Sequence, residues 1–148
     1  MNVGDICSRN VIHVSQQDSV VDVARIMREQ QVGSVVVVDD LNGEIRPQGI
    51  ITYRDLVLEV IAAKINPSVV TAEDILTCEL ICVTETHDVT EALKYLRYYG
   101  VNRAPVVNIN GVLVGLFSIE DSLLKLSEQF SEIVKLLSNE LKIKDSGG

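Results

Sequence analysis

Gly49-Ile50-Ile51-Thr52-Tyr53-Arg54-Asp55 and Gly115-Leu116-Phe117-Ser118-Ile119-Glu120-Asp121 are one pattern written twice. Each is an apolar run that ends in a hydroxyl residue, two intervening residues and an aspartate. Further upstream, Val37-Val38 matches Val106-Val107, Val20 matches Val89, and Asp5-Ile6 matches Asp74-Ile75, all at a spacing of 69. The spacing falls to 66 at Gly49 and Gly115, and the change sits around Asn42-Gly43 and Asn110-Gly111. Asn-Gly is the favoured two-residue hairpin turn, and such loops tolerate changes of length. The period exceeds the roughly 20–50 residues of a solenoid unit, so the chain reads as one unit duplicated.

Each copy follows the same order of elements. Val11-Ile12-His13-Val14 is rich in β-branched residues and predicts a short strand. Ser19 can cap a helix whose apolar stripe is Val20, Val23, Ala24 and Met27; Asp88 with Val89, Ala92, Leu93 and Leu96 repeats it. Ser34–Val38 and Ala104–Val107 are apolar runs too short for helices and suited to buried strands. Gln48–Ile51 and Val114–Phe117 predict a third strand, and a second helix begins after Thr52 or Ser118. The expected fold class is α+β: two pseudo-twofold-related β-α-β-β-α units, packed sheet to sheet with helices outside. Residues 1–65 form the first unit, 66–73 a linker after a helix ended by Asn66-Pro67, 74–141 the second unit, and 142–148 a flexible tail. The last helix should run from about residue 120 to 141. Leu123, Leu126, Phe130, Ile133 or Val134, Leu137 and Leu141 lie near heptad spacing on it. That row either packs along its own unit or forms a seam with a second protomer.

Composition narrows the function. The chain has 148 residues, 47% hydrophobic and 23% charged, so it can bury a core without disulfides or metal staples. Its net charge of −8 disfavours nonspecific nucleic-acid binding and repels anionic membrane surfaces. No run of 18 apolar residues and no signal-peptide pattern occurs, which makes a cytoplasmic protein the expectation. Cys7, Cys78 and Cys82 show no Cys-x-x-Cys spacing, and His13 and His87 are the only histidines. Free, reduced, mostly buried thiols are expected, with no metal site.

In order, these repeated pieces resemble a tandem pair of cystathionine β-synthase (CBS) domains, a Bateman module. The resemblance rests on Asp5-Ile6-Cys7 and Asp74-Ile75-Leu76, on Val32–Asp39 and Val101–Asn108, and on the two stretches quoted first. It covers roughly residues 1–130 and implies two clefts between the units. Each would bind an adenosyl ligand such as AMP, ADP, ATP or S-adenosylmethionine, as a regulatory ligand and not a catalytic cofactor. The resemblance also implies that each cleft takes its ribose-binding acid from one unit and its base pocket from the other. The first cleft would use Thr52 and Asp55, with Ile81, Cys82 and Val83 at the adenine through backbone groups, Asn102 and Arg103 near the phosphates, and the adjoining Ala104 and Pro105 also binding ligand. The second would use Ser118 and Asp121, with Ile12, His13 and Val14 at the base and Gly33 and Ser34 at the phosphate end.

Residue chemistry leaves alternatives at several of these positions. Thr52-x-x-Asp55 and Ser118-x-x-Asp121 fit helix capping boxes, although Asp reaches back to a cap amide less easily than Glu. The same carboxylate at a cleft mouth can accept both hydroxyls of a ribose, while the hydroxyl residue and free helix amides serve phosphate. Arg103 aligns with Ser34, which suggests that only the first cleft has a guanidinium for phosphate, unless Arg103 pairs with a surface acid. Arg54 could reach phosphate or face solvent. His13 could contact a base or simply pack. Tyr95, Tyr98 and Tyr99 read as interface or core. No catalytic triad, metal cluster or phosphate loop is present, so the expected role is a non-catalytic sensor that signals to a separate effector protein and dimerises through its helices. The alternative is a dimerising interaction protein with empty clefts.

Overall fold

The computed structural model describes residues 1–76 and 79–147, with side chains through Asn139. Two three-stranded sheets carry the two copies of the repeat. In the first, β1 (His13–Ser15) lies parallel to β2 (Ser34–Leu41), which pairs antiparallel with β3 (Glu44–Thr52). The second has β4 (Val83–Thr84), β5 (Arg103–Val107) and β6 (Leu113–Ser118) in the same arrangement. Helices α2 (Val20–Gln30) and α5 (Val89–Tyr99) connect the first two strands of each sheet.

Burial explains why the central strands are apolar without alternation. Val35 and Val37 face the helices of their own unit, whereas Val36 and Val38 meet Leu113, Ile50 and Leu116 between the two sheets. Both faces of β2 are therefore dry, and every other residue must be apolar on each. Ser19 Oγ accepts from the Asp22 amide at 3.2 Å, and Asp88 caps α5 through the amides of Thr90 and Glu91. Val20, Val23 and Met27 are buried as expected, but Ala24 is exposed: it lies beside the stripe, and the half-buried Ile26 packs there instead.

The hairpins differ between the copies. Asn42 and Gly43 both have positive φ (57° and 84°), as the two-residue primed turn requires. In the second copy only Gly111 is left-handed, and residues 108–112 form a longer loop closed onto Asn108. Each sheet also carries a register shift at the same place, Val37/Val38 and Val106/Val107, so the irregularity was duplicated with the unit.

The second helix of the first copy begins as α3 (Tyr53–Leu56), continues as a π-helical turn (Val57–Ile61), and stops there. Asn66-Pro67 does not end it, contrary to the sequence expectation. Lys64 takes a left-handed conformation (φ 57°), and Asn66 instead caps a short 3-10 turn, Pro67–Val69.

Two short helices are exchanged between the units. Helix α1 (Val3–Ile6) packs into the core of the second unit with Val83, Ala92 and Phe117. Helix α4 (Ala72–Ile75) packs into the first with Val20 and Ile51. The backbone bonds are symmetric: Val3 N donates to His87 O and Gly4 N to Glu85 O, as Ala72 N does to Asp18 O and Glu73 N to Gln16 O. Gly115 lets the N-terminal segment approach, because a Cβ there would lie 2.9 Å from Ser8 O and 2.8 Å from Cys7 Sγ. The packed units thus differ from a division of the chain at residues 66–73.

Helix α6 (Ile119–Gly147) continues through the stretch expected to be a flexible tail. Ser122 is buried at its start, but every side chain from Leu123 to Asn139 is exposed. At 1.5 Å per residue, about 37 Å of helix follows Ser122. No described helix is long and apolar enough to cross a membrane.

Candidate functional site

Two cavities lie where the units meet. The first, about 520 Å³, is bordered by Thr52, Asp55 and Arg54 from one unit and by Ile81, Asn102 and Arg103 from the other. The second, about 370 Å³, is bordered by Ser118 and Asp121 from one unit and by Ile12, Gly33 and Ser34 from the other. The repeat therefore places each Thr/Ser-x-x-Asp at the mouth of a cleft completed by the opposite copy.

Asp55 forms a complete capping box. Its Oδ2 accepts from the Thr52 amide at 2.8 Å and from Thr52 Oγ1 at 3.1 Å, and its own amide donates back to Thr52 Oγ1 at 3.2 Å. Asp5 and Asp74 cap the same way, so the shorter acid reaches the cap amide after all. The Thr52 hydroxyl proton is committed to Asp55, and the Tyr53 amide donates to Gly33 O at 2.9 Å. Fewer donors are free for phosphate than the sequence suggested. Asp55 Oδ1 has no partner among the described residues, and a carboxylate has further acceptor sites for a diol. In the second cleft, the Asp121 amide donates to Ser118 Oγ at 3.0 Å, and Ser122 Oγ bonds Ser118 O at 2.9 Å.

Arg103 departs most from the sequence expectation. It borders both cavities, not the first alone. Its Nη1 donates to Ser34 Oγ at 2.8 Å, and its Nη2 lies 3.8 Å from the Glu120 carboxylate. The residue aligned with Ser34 in the repeat thus reaches across to Ser34 itself.

Other expected residues divide. Pro105 borders the first cleft, but Ala104 is fully buried in the second unit's core. Cys82 and Val83 do not border the first cleft, nor His13 and Val14 the second; Val83 and Val14 are buried in the cores of their own units. His13 is exposed on an edge strand rather than packed. Tyr53 and Glu79 border the first cleft and were not singled out from the sequence. Tyr53 had a signal, since it follows the capping threonine. Its ring covers Gly33, where a Cβ would sit 3.1 Å from the ring edge. Tyr95 packs at the edge of the second core, and Tyr98 and Tyr99 continue an exposed edge-to-face row from it.

Cys7 and Cys82 are free thiols, and burial pushes both above the ordinary thiol range. Cys78 lies outside the described residues. In a Cys78→Ser background, Cys7 and Cys82 are expected to alkylate with iodoacetamide several-fold more slowly than free cysteine at pH 8. Rates equal to free cysteine would contradict the burial. No cluster of three or more His, Cys, Asp or Glu side chains suited to a metal occurs among the described residues.

The CBS domain profile matches residues 3–62 and 72–121, the two copies of the repeat. The chain belongs to the CBS domain family. An uncharacterized protein of Methanopyrus kandleri is 40% identical over 83% of this chain, which spans 61% of that relative's length. The uncharacterized protein YlbB of Bacillus subtilis is 34% identical, with 88% of this chain and 84% of that protein covered. Among solved structures, a CBS domain protein from Pyrobaculum aerophilum complexed with AMP superposes with a TM-score of 0.73 at 26% identity, covering 86% of this chain and 99% of that one. The two matched stretches each contain one three-stranded sheet.

Proposed function

We propose that this CBS pair is a non-catalytic regulatory module that binds an adenine nucleotide or related adenosyl ligand between its units. The observation that carries this reading is Asp55, whose Oδ1 has no partner among the described residues and which stands at the mouth of a cleft large enough for a nucleoside. Arg54 and Arg103 on the same cleft supply charge for phosphate. The AMP held by the Pyrobaculum relative supports the ligand class. Ligand binding would favour one arrangement of the units, and a cytoplasmic effector protein would read the change.

The test is a thermal-shift panel with AMP, ADP, ATP, S-adenosylmethionine and NAD. A ligand at about 100 times its Kd adds about 2.7 kcal/mol, or several degrees for a chain this size. We expect AMP or ADP to give this shift and Asp55→Ala to reduce it by removing the first cleft's share. No shift with any of the five ligands overturns the proposal.

A second reading, self-association, is favoured by α6. Leu123, Leu126, Phe130, Ile133 and Leu137 are all exposed on its surface. A homodimer through the helices would cover them. Leu126→Glu with Phe130→Glu should turn a dimer into a monomer in light scattering while nucleotide binding survives. An unchanged dimer would place the contact elsewhere.

A further inference from the structure

Arg103 stands on the pseudo-twofold axis, where the repeat brings it against its own counterpart, Ser34, at 2.8 Å. Two clefts therefore share one guanidinium at this point, because the duplicated position carries only a hydroxyl. The clefts also differ in balance. Arg54 of the first aligns with Glu120 of the second. The first cleft sets Arg54 and Arg103 against Asp55 and Glu79, whereas the second has Arg103 alone against Glu120 and Asp121. Arg103 lies within ion-pair distance of Glu120.

We infer that Arg103 is a shared phosphate ligand whose capture by one cleft weakens anion binding in the other. This rests on the reading that the clefts hold adenosyl ligands. A phosphate offers the guanidinium charge-assisted, bidentate bonds, stronger than its bond to the Ser34 hydroxyl. Engaged with phosphate in the first cleft, Arg103 leaves Ser34 and Glu120. The second cleft then presents Glu120 and Asp121 uncompensated and repels a second anion. An adenosyl ligand without negative charge avoids the competition. The chain is thereby biased towards one anionic nucleotide and one uncharged or cationic adenosyl ligand. Linkage makes the antagonism reciprocal.

The test is calorimetric titration of AMP and of adenosine into the wild type, Asp55→Ala and Arg103→Gln. Asp55→Asn, which can keep the bond from the Thr52 amide, replaces Asp55→Ala if the alanine variant fails to fold. With the first cleft filled by AMP, the second should bind AMP about tenfold more weakly than it does when the first is disabled. Adenosine should show no such difference, and Arg103→Gln should remove it for AMP. Equal AMP affinity of the second cleft in wild type and Asp55→Ala overturns the inference but leaves the proposed function standing. So does a second cleft that takes no AMP in Asp55→Ala. If neither AMP nor adenosine binds any of the proteins, this inference falls, and the proposed function falls with it only if ADP, ATP, S-adenosylmethionine and NAD also give no thermal shift.

Discussion

Phe117→Ala is expected to lower stability by about 3–5 kcal/mol. Phe117 is fully buried in the core of the second unit, on β6 directly before the Ser118 cap. It touches both the sheet and the exchanged helix α1, so the cavity opens where two segments distant in sequence meet. At about 2–4 °C per kcal/mol for a chain of this size, the melting temperature should fall by about 6–20 °C. Urea unfolding checks it, with a lower midpoint at an unchanged slope. A loss below about 1 kcal/mol would mean that the site collapses freely, which the close-packed core argues against.

Val3→Asp is expected to cost about 4 kcal/mol or more, because it places an unpaired carboxyl at a position with no solvent exposure. Its location makes the result informative. Val3 belongs to the first copy in sequence but to the second copy in packing. Hydrogen exchange should therefore show β5 and β6 losing protection before β2 and β3. Ala72→Asp should give the reverse order, since Ala72 packs against the first sheet. If Val3→Asp loosens β2 and β3 first, the exchange of helices is wrong.

What the sequence made legible follows from local rules. The β-branched runs at Ser34–Val38 and Ala104–Val107 became central strands because their burial on both faces leaves no alternation to misread. Asn42-Gly43 made the turn its chemistry demands, but Asn110-Gly111 joined a longer loop, because the pairing of Val107 with Leu113 leaves five residues to close. The Thr/Ser-x-x-Asp pairs border the two cavities, the position that the resemblance implied for them. His13 and Cys82 were read as cleft residues from the resemblance, yet only their neighbours Ile12 and Ile81 border the cavities. Arg103 was read as belonging to one cleft because alignment gives correspondence and not distance. Only the folded chain shows that Arg103 and Ser34, 69 residues apart, touch.

The exchanged helices also bear on how this protein is made. Val3 and Ile6 leave the ribosome about a hundred residues before their partners Ala104 and Phe117. At about 5–20 residues per second, this apolar segment waits on the order of ten seconds without its native cover. The first sheet must likewise wait for Ala72 and Ile75 before its core is closed. The first half of the duplication cannot finish folding as soon as its own residues are out, whereas the second finds its exchanged helix already made. Completion is vectorial only for the second half, and helix α1 is the core segment that waits longest for its native cover.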